Sequence, residues 1–326
     1  MWAFTDRINL IRYLIVWRTN SPLVWLPACL SAELSWVLGT IIADRLPTRE
    51  ARPWRKFLAS WEEGKSKKHL PFPETAWPIK SVLFVYPGKR SYGEGELILW
   101  ELKLLAESAD HGFFLEFILP AMEEAATTSD PRWRQKNNLW GQFDICSIYA
   151  ARGDRWEPFV QEGKLDLHYH PTPVQWAEGL AFDARSDHVF KRLSWLTPFD
   201  LSTTRRNARR RKEIPDQEVP TLLRILESLL DRMAVFLPGK HNTSKQVWNA
   251  LNVEERTALE EAMEQAKRVP VRRHKLFSAP KGWPGRWIGI QYFPFVPPSL
   301  IPYLELASIL HIGKQTHFGC GTFALS

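Results

Sequence analysis

The sequence predicts an α+β fold made of two successive β-α-β-β-α-β halves. Three observations carry that expectation. Runs of β-branched and aromatic residues of strand length recur along the 326 residues. Helical spacings separate them in the same order twice. A stretch rich in Gly and Pro, with no clear periodicity, divides the two series.

In the first half, residues 8–19 (INLIRYLIVWRT) read as a strand, ended by Ser21-Pro22. Helical spacing follows over residues 26–43. Residues 44–79 are polar, charged and proline-containing, and are expected to be loop-rich. Residues 80–86 (KSVLFVY) and 96–105 (ELILWELKLL) are strands on either side of a turn region opened by Pro87-Gly88. A helix should start at Asp110, an N-cap candidate, and carry Phe113, Phe114, Phe117, Ile118 and Met122; Pro120 should kink or restart it. Residues 139–149 close the half as a strand.

The second half repeats the order. Residues 190–201 (FKRLSWLTPFDL) are strand-like. Residues 219–237 form an amphipathic helix, with Pro220 in its first turn, where proline is tolerated. Residues 253–269 are an inserted charged helix. Two strands (271–277 and 286–293), a short helix (299–310) and a last strand (317–325) complete it. Two copies of the split βαβ unit make a tandem ferredoxin-like architecture. The expected divisions are an N-terminal domain over 1–150, a linker over 151–188, and a C-terminal domain over 189–326.

Composition narrows the function classes. Hydrophobic residues are 44% and charged residues 24%, which suits a globular chain with a large core. The 16 tryptophans belong mostly in that core. A net charge of +7 suits a polyanionic partner. Cys29, Cys146 and Cys320 are widely spaced and form no CxxC pair, so neither a zinc site nor a disulfide framework is expected, and a reducing, cytoplasmic setting is the default. His168 and His170 alternate without a carboxylate or Cys partner, so no metal and no other cofactor are expected. The apolar run 24–43 contains Glu33 and Pro27 and reads as a buried amphipathic helix, not a membrane span. MWAFTDR does not read as a secretory leader.

The segment HIGKQTHFGCG, residues 311–321, holds three glycines, one lysine and two histidines. A P-loop is excluded because Gln315 follows Gly313-Lys314, position 308 is Ser, and a strand is expected to follow. A dinucleotide fingerprint is excluded by the G-x5-G-x-G spacing. Two readings stay open for the loop. Glycines allow backbone N–H groups to approach a phosphate, with Lys314 adding a charge and His317 a proton carrier. A helix cap at Gly313 is the plainer reading, but it leaves Lys314, Gly319 and Gly321 unexplained.

The run LELASILHIGKQTHFGCGTFAL resembles the C-terminal signature of the CRISPR pre-crRNA-processing endoribonucleases of the RAMP superfamily. LSWLTPFDL resembles that family's strand opening the second half, GRWIGIQYF its penultimate strand, and YGEGELILWELKLL its first-half turn and long strand. Together these cover most of the chain after Lys80. The resemblance implies two RAMP/RRM-like halves, a loop that contacts RNA, and metal-independent cleavage of CRISPR repeat RNA. In that chemistry the ribose 2′-hydroxyl attacks the adjacent phosphate, leaving a cyclic phosphate and a 5′-hydroxyl, and it needs a base, an acid and positive charge.

The resemblance carries RNA contact to Gly313, Lys314, Gln315, Thr316, Gly319 and Gly321. The cationic run Arg205, Arg206, Arg209, Arg210, Arg211 and Lys212 suits phosphates along the RNA. His317 is the candidate acid or base, and Arg45 and Arg49 are candidates for the scissile phosphate. Arg12 and Tyr13 are candidates by rough position. His311 is expected at the end of the helix, where a cation complements the dipole, and His111 in a capping or surface role. The family often places a catalytic histidine on or near the first helix, yet LPACLSAELSWVLGTIIA has no His, Lys, Arg or Tyr. A catalytically inactive crRNA-binding subunit of a CRISPR effector complex is therefore the alternative. Repeat RNA is the expected partner in both cases, with other effector subunits beside it and no membrane.

Overall fold

The computed structural model describes residues 5–66, 76–133, 137–180, 189–202, 214–215, 218–237 and 242–326. It separates into two compact units, Asn9–Gly179 and Leu180–Ser326, the latter joined by Met1–Ile8.

The first unit contains β1 (Leu10–Thr19), β2 (Val24–Trp25), α1 (Leu30–Arg45), α2 (Thr48–Ser66), β3 (Ser81–Val85), β4 (Ser91–Tyr92), β5 (Leu97–Leu105), α3 (His111–Phe113), α4 (Leu119–Thr127), β6 (Phe143–Arg152), β7 (Arg155–Gln161) and β8 (Lys164–Leu165). Its main sheet runs β3-β5-β1-β6-β7-β8, with antiparallel neighbours throughout. Counting only the strands of the split βαβ unit, β6-β1-β5-β3 is the order 4-1-3-2 of a ferredoxin-like sheet. The stretch 155–165, expected to be linker, instead extends the sheet as β7 and β8.

The core of this unit is aromatic, as the tryptophan count suggested. Trp17 is fully buried, stacks on Phe143 at 3.9 Å, and meets Trp100 edge-on at 5.3 Å. α1 is apolar on nearly all sides and buried all round, so it is not amphipathic; Glu33 is tolerated inside because the Trp140 indole N–H donates to its carboxylate at 3.3 Å.

The expected loop over 44–79 is corrected by α2. Ala51, Trp54, Phe57 and Trp61 form a buried helical stripe. The surrounding charges and Pro53, in the second turn, hid it. Pro120 behaves as a restart: the turn before it, Phe114–Ile118, is a π-helix, which removes the i−4 contact that proline cannot make. Asp110 caps α3 by accepting from the Gly112 amide at 2.8 Å.

The second unit contains β9 (Arg192–Trp195), α5 (Leu222–Met233), α6 (Ser244–Ala250), α7 (Val253–Arg268), β10 (Arg273–Ser278), β11 (Trp287–Tyr292), α8 (Ile301–Leu310) and β12 (Phe323–Leu325). Its sheet order β10-β11-β9-β12 is again 4-1-3-2 read from β12. The tandem ferredoxin-like fold therefore stands on strand order in both halves.

Thr221, not Pro220, starts α5: its hydroxyl accepts from the Arg224 amide at 3.1 Å. α5 buries Leu222, Ile225, Leu226, Leu229, Leu230 and Met233. The inserted region holds two capped helices where one was expected. The last strand is shorter than expected. Residues 316–318 form a 3-10 turn, because left-handed backbone at Gln315 and Gly319 brackets them. No helix among the described residues is long and apolar enough to cross a membrane.

Candidate functional site

The loop after α8 is built on its own helix and on the segment following β9. Arg232 of α5 donates from Nε to the Leu310 carbonyl at 2.9 Å, satisfying one of the acceptors left over at the helix end. Burial pushes its guanidinium pKa down to about 10. His311 ends the helix with φ +58° and no solvent exposure. Its Nδ1 lies 3.1 Å from the Gly319 carbonyl and 3.2 Å from that of Cys320. Both partners are acceptors, which assigns the ring proton to Nδ1. The histidine is thus a buried tie across the loop, in place of the expected charge on a helix end.

Backbone bonds complete the frame. Ile312 N–H donates to Gly321 O at 3.1 Å, Gly321 N–H to Pro198 O at 3.0 Å, and Lys314 N–H to Asp200 O at 2.9 Å. Gln315 accepts from the Gly285 amide at 2.5 Å. Two glycines are required by this packing. A Cβ on Gly313 would stand 2.6 Å from the Asp200 carbonyl oxygen, and one on Gly321 would stand 1.8 Å from that of Ile312; both residues have positive φ. The helix-cap reading of Gly313 is corrected: His311 takes the C-cap position of α8, and close backbone approach accounts for both Gly313 and Gly321.

What the loop presents outward is therefore narrow. Gly313 and Lys314 are exposed, Gln315 and Thr316 half-buried, and His317, Gly319 and Gly321 buried. The Lys314 ammonium reaches Ser202 Oγ at 3.2 Å, and that hydroxyl donates to Asp200 Oδ1 at 2.6 Å. A lysine held by one neutral hydroxyl at the surface keeps most of its donor capacity for an anion. The His317 ring meets Phe318 edge-on at 5.0 Å.

The other candidates lie apart in the chain. Arg45, at the end of α1, pairs with Glu124 at 3.0 Å; Arg49 is exposed in the first turn of α2. Both belong to the first unit, and the loop to the second. The run containing Arg205, Arg206, Arg209, Arg210, Arg211 and Lys212 falls outside the described residues.

Two clusters in the first unit were not legible. Tyr13 Oη and His111 Nδ1 are 3.0 Å apart and buried, and the His170 ring lies 5.8 Å from His111. Burial, with His170 nearby, pushes the His111 pKa down to about 4, so the imidazole is neutral near pH 7. Capping falls to Asp110 alone, and His111 is a core residue, contrary to the surface role expected. Arg12 binds Glu101 at 2.6 Å, with Lys103 at 3.8 Å from the same carboxylate. Burial alone would raise Glu101; the charges of Arg12 and Lys103 outweigh it and hold the carboxyl below its usual range. Arg12 is thereby a half-buried structural partner of Glu101. Among the described residues no group of three His, Cys, Asp or Glu side chains is placed to hold a metal.

Comparison with known proteins adds three findings. A family model described as CRISPR-associated endoribonuclease Cas6 matches residues 193–323. No curated protein matches the sequence. Among solved structures, a Cas6 product complex is 15% identical, with 98% of this chain and 100% of that one covered and a TM-score of 0.46. A Thermus thermophilus Cas6 is 13% identical, with 98% and 99% covered and a TM-score of 0.42. A partial Cas6-RT-Cas1–Cas2 complex is 12% identical, with 98% and 46% covered and a TM-score of 0.49. The glycine loop and helix α8 fall inside residues 193–323, the segment that matches the model of the CRISPR-associated endoribonuclease Cas6 family.

Proposed function

We propose that the protein binds CRISPR repeat RNA at the exposed edge of the 313–316 loop and cuts it by attack of a ribose 2′-hydroxyl on the adjacent phosphate. The observation that carries the reading is Lys314. Its side chain stands exposed on a loop whose backbone is fixed by Asp200 and Pro198, within the segment that matches the Cas6 family. A fixed backbone with an accessible ammonium and the exposed Gly313 beside it suits a phosphate, because neither group must reorganise on binding.

In the reaction, the 2′-oxygen forms a bond to phosphorus as the bond to the 5′-oxygen breaks. A base takes the 2′ proton and an acid supplies one to the leaving oxygen. His317 is our candidate for one of these roles, reached by opening of the short turn 316–318 that now buries it. Arg45 and Arg49 are candidates for charge on the phosphate. Gln315 and Thr316 would line the RNA beside Lys314, and Gly319 and Gly321 would shape the loop. The cationic run 205–212 would follow the RNA backbone outward.

A second reading, binding without cutting, is favoured by two observations: the first-helix stretch over residues 26–43 offers no His, Lys, Arg or Tyr, and His317 is 5% exposed. The test is repeat RNA incubated with the protein in excess EDTA and resolved on denaturing and native gels. One cut supports the nuclease, a shift without a cut supports the binding subunit, and neither would sink both.

A further inference from the structure

The C-terminal sheet has a second face that the loop does not use. Along β10 and β11 the side chains alternate. Leu276, Trp287 and Gln291 turn inward and are 4%, 5% and 0% exposed. The opposite positions pair Arg273 with Tyr292, Lys275 with Ile290, and Phe277 with Ile288. Tyr292 in turn pairs with Arg192 on β9. Phe277 is 54% exposed, and Arg192, Arg273 and Lys275 are exposed. The Arg273 guanidinium lies over the Tyr292 ring, 4.3 Å from its centre.

Two features of this face point to one class of ligand. No outward residue of β9, β10, β11 or β12 is acidic. Two rings stand among three cations, so the face is not a continuous apolar patch of the kind that buries a protein partner. Phe277 and the Arg273–Tyr292 pair are four residues apart along β10, roughly 13 Å at the rise of a strand. Lys275 stands on the same face midway between them. Rings that far apart take separate bases, and a cation between them meets the phosphates that join those bases. A duplex would offer its phosphates to this face but no free base faces.

We infer that the outward face of the C-terminal sheet is a stacking platform for unpaired nucleotides of RNA, with Phe277 and Tyr292 under the bases and Arg192, Arg273 and Lys275 on the backbone. The inference rests on the RNA-binding reading above and names a different surface and a different part of the RNA. The loop takes a phosphate at one edge, and the sheet takes single strand.

The test uses the full chain and two fluorescein-labelled RNAs, a 12-nucleotide oligouridylate and a repeat RNA. Binding is read by anisotropy, and melting curves show that each variant is folded. Phe277→Ala and Tyr292→Ala should each weaken oligouridylate binding about 10-fold. Phe277→Tyr should restore it, because stacking survives. Lys314→Ala should leave oligouridylate affinity within about twofold while weakening the repeat RNA. Unchanged oligouridylate affinity in both ring variants would overturn the platform. Wild-type protein that binds repeat RNA but not oligouridylate would also overturn it and leave the loop reading standing. Loss of oligouridylate binding in Lys314→Ala alone would place the single strand on the loop. Self-association that Phe277→Ala abolishes, with RNA binding unchanged, would give the face to a second copy of the chain. Binding of neither RNA would sink both readings.

Discussion

His311 Nδ1 and the Gly319 carbonyl oxygen lie 3.1 Å apart, eight residues distant in sequence, and close the glycine loop on itself. The imidazole ties the start of the loop to its end from inside. Replacing it by Ala removes the bifurcated hydrogen bond to the Gly319 and Cys320 carbonyls and leaves a buried cavity. We expect His311→Ala to cost about 2–3 kcal/mol of stability. Urea denaturation should show a lower midpoint with an unchanged slope, the mark of a stability change in an intact fold.

On the proposed reading, Lys314 and Gly321 divide the loop's two duties. Lys314→Ala removes an exposed charge, so stability should stay within about 0.5 kcal/mol. Repeat-RNA affinity should fall, with about one unit less in the slope of log affinity against log salt. Gly321→Ala drives a Cβ into the Ile312 carbonyl, 1.8 Å away, and should cost about 2 kcal/mol or more. Thermal melting beside a salt titration separates the two. A melting loss in the lysine variant equal to that in the glycine variant would contradict the division.

The repeated strand order was legible because burial writes itself into hydrophobic period. β1, β5 and β11 carry that signal strongly, and each was read within about two residues at either end. α2 was missed because Pro53 and a run of charges sit among Ala51, Trp54, Phe57 and Trp61, so composition argued for loop where spacing argued for helix. At the site, the glycines were visible but their cause was not. Gly321 meets Ile312 nine residues earlier, and Gly313 meets Asp200 across 113 positions; no local pattern announces a backbone clash. The same holds for Tyr13 and His111, whose 3.0 Å contact joins residues 98 apart.

The neutral His111 makes stability pH-dependent. Its pKa is about 4 in the folded protein against an ordinary 6.5. Above pH 6.5 neither state holds the proton and nothing is lost. Between pH 6.5 and 4 the unfolded chain takes up a proton that the folded one does not, so stability falls. The loss should reach about 1–2 kcal/mol once solvent screening is allowed for. His111→Gln should flatten that part of the stability profile. A profile equally steep in wild type and variant would assign the titration elsewhere.

Glu101 sits between Arg12 and Lys103 with almost no exposure. Removing its charge strands the buried Lys103 and the half-buried Arg12, so Glu101→Gln should cost about 3 kcal/mol. Because the folded carboxyl titrates below its usual range, its contribution is complete above the unfolded pKa and lost as pH falls through the folded one. Comparing wild type and Glu101→Gln by acid titration should show the wild-type advantage shrinking below about pH 4.

On the proposed reading, His317 carries a proton in the cleavage step. The ring is buried beside Phe318 in a three-residue turn, and a turn of that length opens at modest cost. If His317 carries a proton in the reaction, His317→Ala should lower single-turnover cleavage about 100-fold or more, with repeat-RNA affinity within about threefold. The pH profile of the remaining activity should lose one limb. His317→Gln keeps the size and polarity of the side chain but cannot exchange a proton near neutral pH, so it should be as slow while melting like the wild type. A 2′-deoxy substitution at the nucleotide before the cut should abolish cleavage and leave binding intact, because the attacking oxygen is gone. Both variants cutting at the wild-type rate would move the acid–base search to the residues around Arg45 and Arg49. A wild-type protein that shifts repeat RNA in EDTA and never cuts it would make the buried ring a structural part of a loop that holds RNA for another enzyme.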